Sequence, residues 1–197
     1  MWIPDREIVV LVSEQEKKSY LNGGGPIEQW PHRIGRHKEG AEFPMMAVRQ
    51  LLLDQGYHVY VSGLSKVGIE SYSLAMFPGQ RKDRAFDNTK RVLDMDEGAL
   101  DEFLRLVRRR RAYSRLGNYG GDPDLLVQHG RRPLDRFFVE VKAESRTYKD
   151  DLTNQQHLVF PLIRAHLKQR IVLAKVHILG VEHGKVRPGV WDAVSPL

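Results

Sequence analysis

The chain has 197 residues, 41% of them hydrophobic and 28% charged, with a net charge of +6 and no cysteine. That length suits one domain able to bury a core of its own, and the balance excludes a disordered chain, a disulfide scaffold and a thiolate metal site. No apolar run reaches the roughly 18 residues that cross a bilayer, so a cytoplasmic protein with no membrane partner is expected, and its excess of Lys and Arg suits a polyanion such as a phosphate backbone.

Residues 7–12 (EIVVLV) read as a short buried strand, and residues 22–40, rich in Gly, Pro and charge, as a loop. From Glu42 onward Met45, Met46, Val48, Leu51, Leu52 and Leu53 recur at near-helical spacing, with Pro44 in the first turn and Gly56 at the end. Residues 57–61 (YHVYV) follow as a strand. Residues 62–90 are mixed, with room for a hairpin. Residues 95–115 read as a helix whose face carries Leu100, Phe103, Leu104 and Val107, and Arg108, Arg109, Arg110 and Arg111 crowd its C-terminal end, where cations complement the helix dipole. Residues 124–128 and 136–143 read as strands joined by a turn at 130–133. Residues 153–168 read as a helix with Leu158, Leu162, Ile163 and Leu167 on its apolar face, and residues 170–179 as a buried strand.

The expected core order is helix, strand, strand, strand, helix, strand, which predicts an α/β fold with a central mixed sheet flanked by helices. The whole chain, 1–197, is taken as a single domain. Its core is expected at about 42–62 and 120–180, with an insertion at about 63–119.

The chemistry concentrates in GDPDL at 121–125 and EVK at 140–142. Alternate residues of a strand share a face, so Glu140 and Lys142 point one way and Val141 the other. Pairing of the two strands as a hairpin would bring Asp124 close to Glu140. Two carboxylates, with the backbone carbonyl of Val141, form a hard oxygen site of the kind Mg²⁺ accepts. A cation there would activate water and stabilise charge on a phosphoryl group. Lys142 could orient or deprotonate the water, or steady the developing charge. The bland reading is an alternating strand with exposed charges, and E-x-K alone is common enough to favour it.

These two blocks, followed by DDLTNQQ at 150–156, resemble the VRR-NUC branch of the PD-(D/E)xK nucleases. That branch carries a G-x-P-D-L strand, an E-V-K strand and a D-x-L-S/T-x-x-Q helix start. The resemblance spans residues 120–179, under a third of the chain. It implies a restriction-endonuclease-like core and DNA cleavage dependent on Mg²⁺, with Mn²⁺ able to substitute. It also implies Asp124 and Glu140 as metal ligands, Lys142 as the catalytic lysine and Gln156 near the active site. A helix glutamate ahead of the first core strand completes the family pattern; Glu42 is the first choice for it and Glu39 the second, with a dipole-complementing acid as the competing reading of Glu42.

DNA contacts are expected from Arg108, Arg109, Arg110, Arg111 and Arg115, from Arg131 and Arg132 on the turn between the catalytic strands, and from Lys149. Tyr113 and Tyr119 could stack on a base, though packing is the blander role. Asp122 is read as a turn residue. Glu144 is expected to leave the strand, and Asp150 or Asp151 to cap the following helix, with Thr153 as the alternative cap. The eight histidines show no zinc-site spacing. The expected activity is an endonuclease selective for branched or flapped DNA in repair or recombination, working as a homodimer if it cuts both strands. A sequence-specific restriction endonuclease and a non-catalytic DNA-binding protein on the same fold are the alternatives.

Overall fold

The computed structural model describes residues 3–25, 27, 42–62, 91–112, 121–145 and 148–179. The expected hairpin within 62–90, Glu39, Tyr113, Arg115 and Tyr119 lie outside these residues, as does the tail after residue 179.

The chain enters as β1 (Arg6–Ser13), whose Ile8, Val10 and Val12 point inward at period two. Ser13 then caps a helix absent from the sequence reading, α1 (Glu14–Leu21). The Glu16 backbone N–H donates to Ser13 Oγ at 3.1 Å, and the Ser13 N–H donates back to Glu16 Oε2 at 2.7 Å. Such a reciprocal capping box satisfies two otherwise orphaned donors. The helix α2 (Phe43–Asp54) begins with Pro44 in its first turn, as expected, and ends at Gly56, whose φ of +83° favours glycine. β2 (Tyr57–Val61) follows directly.

Helix α3 (Glu97–Ala112) precedes β3 (Leu125–His129) and β4 (Arg132–Ser145), which lead to the two-residue β5 (Tyr148–Lys149). Helix α4 (Asn154–Leu162) is shorter than its apolar pattern predicts. Pro161 sits inside it, and the chain continues as one π-helical turn (Ile163–Leu167) that stops at Lys168 with φ of +53°. A proline lacks the N–H that an α-helix needs at that point, which accounts for the change of winding. β6 (Arg170–Leu179) closes the described chain.

Five strands form one mixed sheet in the order β1-β6-β4-β3-β2, with β5 attached to the end of β4. β1 and β4 run parallel to β6, while β3 runs antiparallel to both β2 and β4. Helices cover both faces. On the first face, α2 buries Phe43, Met46, Val48 and Leu52 against Val10, Val59, Leu125, Val139, Val141 and Ala174. On the second, α3 and α4 bury Phe103, Leu104, Val107, Val159 and Phe160 against Leu126, Phe138 and Ile171. The fold is therefore α/β with a mixed sheet between helical layers.

Two features depart from the expected core. β1, placed outside it by the sequence reading, is an edge strand of the same sheet. The segment expected as an insertion supplies α3, and with it one side of the second apolar layer.

Candidate active site

The antiparallel register pairs Leu125 with Val139, so the residues one step beyond, Asp124 and Glu140, come together where β3 begins. Asp124 precedes β3, and its Oδ2 accepts from the Val141 N–H at 2.8 Å. A side chain there takes the place of the next ladder carbonyl. Alternation sends Val141 into the first core and turns Glu140 and Lys142 to the second face. Both are almost wholly buried, at 1% and 8% exposure.

Glu140 Oε1 accepts from Gln156 Nε2 and lies 2.9 Å from Lys142 Nζ, whereas its Oε2 is buried with no hydrogen-bond partner. Gln156 reaches Glu140 because of its place in the helix. It is the third residue of α4 and half of a capping box: Thr153 Oγ1 accepts the Gln156 N–H at 3.2 Å, and Gln156 Oε1 accepts the Thr153 N–H at 2.9 Å. The amide oxygen thus locks the helix start while the amide nitrogen serves the carboxylate. Gly121 allows this approach. Its φ is +120°, and a Cβ there would come within 3.0 Å of the Gln155 carbonyl oxygen.

Burial pushes the Glu140 carboxyl well above its ordinary value; Asp124 adds to the effect, while Lys142 and Gln156 oppose it. Burial likewise pushes Asp124 up to about 6, against the Val141 N–H and Lys142, with Asp150 adding. For Lys142 burial acts to lower the value, but Glu140, Asp150 and Asp124 outweigh it and hold the ammonium above its ordinary range. Asp150 Oδ2 lies 3.7 Å from Lys142 Nζ. Asp150 is therefore a neighbour of Lys142 and not the helix cap, a part that falls to Thr153.

A divalent cation fits these residues. Glu140 Oε2 is an orphaned oxygen in a buried position, and leaving a buried polar group unsatisfied costs about 1–3 kcal/mol. Asp124 supplies a second carboxylate. Odd-numbered residues of β4 turn their backbone groups toward β3 and β5, as the Val141 N–H and the Ala143 carbonyl show, so the Val141 carbonyl faces the same edge. Among the described residues no group of three or more His, Asp or Glu side chains gathers at metal-binding spacing, so Glu42 is not brought into such a set with Asp124 and Glu140. Glu42 stands at the head of α2 without a side-chain capping bond. Two carboxylates still suffice for Mg²⁺, which commonly keeps waters and substrate phosphates as its other ligands.

The expected DNA-contact residues are more scattered. Arg131 and Arg132 sit at the far end of the hairpin, five residues along β3 from Asp124 and on the order of 15 Å away. Arg132 opens β4 rather than lying in the turn, and pairs with Asp135 at 3.4 Å. Arg108, Arg109, Arg110 and Arg111 lie in the last turns of α3, with Arg109 exposed. Lys149 is in β5, its backbone paired with Glu144. Glu144 remains within β4, contrary to expectation, and faces His177 at 3.6 Å.

Ser62 joins the site without any mark in the sequence. It lies just past β2, donates its N–H to the Asp124 carbonyl at 3.1 Å, is 4% exposed, and has a buried Oγ without a partner. A serine after a strand is ordinary turn company, so nothing local marked it. No described helix is long and apolar enough to cross a membrane. Comparison with protein-family models, curated proteins and solved structures finds no match for this chain.

Proposed function

We propose that the protein is a divalent-metal-dependent DNA endonuclease that hydrolyses phosphodiester bonds at the Asp124, Glu140 and Lys142 centre. The observation that carries this reading is Glu140: a buried carboxylate held on one oxygen by Gln156 and Lys142, orphaned on the other, and set beside Asp124. Such an arrangement is costly unless a cation completes it. Asp124, Glu140 and the Val141 carbonyl would hold Mg²⁺, with Mn²⁺ as a substitute. When bound, the cation supplies Lewis-acid stabilisation of phosphoryl charge and makes water a better nucleophile at neutral pH.

The remaining chemistry belongs to side chains of the chain. Lys142 lies between Glu140 and Asp150 and presents an ammonium at the site. From there it orients the attacking water and balances negative charge as it grows on the phosphate. Gln156 keeps Glu140 in one rotamer, so its free oxygen points into the site before substrate arrives.

Branched or flapped DNA is the proposed substrate, as in repair or recombination, and a homodimer would provide one centre for each strand. The test is cleavage of labelled linear, flapped and four-way DNA with and without Mg²⁺ and Mn²⁺, beside a plasmid panel. Metal-dependent cleavage, lost in Glu140→Ala and Lys142→Ala, is the expected result. Undiminished cleavage in both variants would sink the assignment, and cutting of one short motif in plain duplex would favour a restriction endonuclease.

A further inference from the structure

The sheet face that carries Glu140 and Lys142 continues onto β6. In the parallel register Lys142 stands opposite Lys175, and Glu144 opposite His177. Side chains opposite one another on neighbouring strands share a face, so Lys175 and His177 extend the face of the site toward the β1 edge. Leu173 and Ile171, nearer the start of β6, are buried, Ile171 in the layer formed with α3 and α4. Beyond them the side chains of Lys175 and His177 are each 32% exposed.

Two lysines side by side on adjacent strands repel each other. Here each is neutralised by carboxylates of its own. Lys142 has Glu140 at 2.9 Å and Asp150 at 3.7 Å, while Lys175 has Glu7 of β1 at 2.7 Å. The Lys142 pair is buried, whereas the Lys175 and Glu7 side chains are 32% and 43% exposed. A half-exposed pair of this kind is held weakly, so an incoming phosphate can replace the carboxylate at little cost.

We infer that Lys175, with His177 beyond it, is a second phosphate-binding position: the DNA strand crosses β6 toward β1, and the phosphate next to the scissile one displaces Glu7 from Lys175. This rests on the nuclease reading for the position of the scissile phosphate. Phosphate contacts of this type place a strand without reading its sequence, which agrees with a structure-selective enzyme.

Lys175→Gln and Glu7→Gln break the same ion pair with opposite consequences for DNA. A purely structural pair would make both variants behave alike, but a phosphate position makes Lys175→Gln bind DNA more weakly and Glu7→Gln more tightly. Labelled flapped DNA is titrated by anisotropy in Ca²⁺ over a salt series, with thermal melts to confirm folding and cleavage in Mg²⁺ measured in parallel. Lys175→Gln is expected to raise Kd about 5- to 10-fold and to reduce the salt slope by about one, and Glu7→Gln to lower Kd about threefold. Equal affinities, or shifts of the same sign in both variants, would overturn the inference. If wild type cleaves DNA and Lys175→Gln matches its affinity, this inference falls and the nuclease reading stands. If the signed shifts occur and wild type never cleaves, the phosphate position stands and the nuclease reading falls. Wild type that ignores DNA overturns both.

Discussion

Glu140 sits where burial penalises a charged carboxylate, and Lys142 and Gln156 offset only part of that penalty. The same holds for Asp124, raised from 3.8 to about 6 by burial. A carboxyl whose value is higher folded than unfolded keeps a proton in the native state that the unfolded chain has already lost. The metal-free protein should therefore lose thermal stability as pH rises from about 4 toward 7, and not gain it. Melts in EDTA across this range should show a falling Tm, with the slope reduced in Asp124→Asn. If Asp124 and Glu140 hold a cation as proposed, added Mg²⁺ should raise Tm more at pH 7 than at pH 5, because both carboxyls must be deprotonated to bind it. A rising Tm in EDTA would contradict the burial of this pair. Gln156 offers a second test. If the proposed metal-dependent nuclease reading holds, Gln156→Ala should cost about 10- to 100-fold in Mg²⁺ affinity or cleavage, because Gln156 would orient the ligand Glu140. Gln156→Glu keeps an oxygen for the Thr153 N–H but sets a carboxylate against Glu140. It should be as inactive while melting closer to wild type, and activity in either variant would show that Glu140 needs no such support.

At the scale of elements, the site stands or falls with the start of α4. Thr153→Ala removes one half of the capping box and should cost about 1 kcal/mol. Gly121→Ala faces both an unfavourable φ and the Gln155 backbone at 3.0 Å. It should destabilise by about 1–3 kcal/mol and displace the helix that holds Gln156. Urea titration measures both losses. Cleavage should fall further in Gly121→Ala than its lost stability alone would cause, and wild-type cleavage in this variant would mean that helix and hairpin are not coupled. The hairpin itself is legible in the sequence: GDPDL, a turn and an alternating strand define it, and EVK within it can only place Glu140 and Lys142 together. The break at Pro161 is equally present in the sequence but is outweighed there by the apolar periodicity that continues through Leu167.

At the scale of the molecule, two apolar layers flank one sheet, and each joins distant parts of the chain. The second layer depends on α3, from the segment expected as an insertion; its Phe103 is 1% exposed and packs in the cluster that contains Leu126 and Phe138. Phe103→Ala should cost about 3–5 kcal/mol, and denaturation should remain a single transition. A separate early transition would instead show that α3 folds as an appendage. β1 is tied in as firmly at its start: the Asp5 N–H donates to the Ile171 carbonyl at 3.1 Å, and the Ile171 N–H returns to Asp5 Oδ2 at 3.0 Å.

The sequence by itself determined the features set by local periodicity and short loops. A strand repeats every two residues, so the shared face of Glu140 and Lys142 needed no structure. A tight hairpin makes β4 a pairing partner of β3, whereas the choice of Thr153 over Asp150 or Asp151 as the cap of α4 came from the structure. The tertiary structure alone decided which strands lie side by side when the chain between them is long. No local pattern states that β1 pairs parallel to β6, that α3 closes the second face, that Ser62 stops beside Asp124, or that Lys175 faces Lys142. Those placements arise from burying two faces of one sheet at once, a condition met by the whole chain and encoded in no single segment. The acidic centre could thus be read along the sequence, whereas the basic row beside it appears only once β6 lies next to β4.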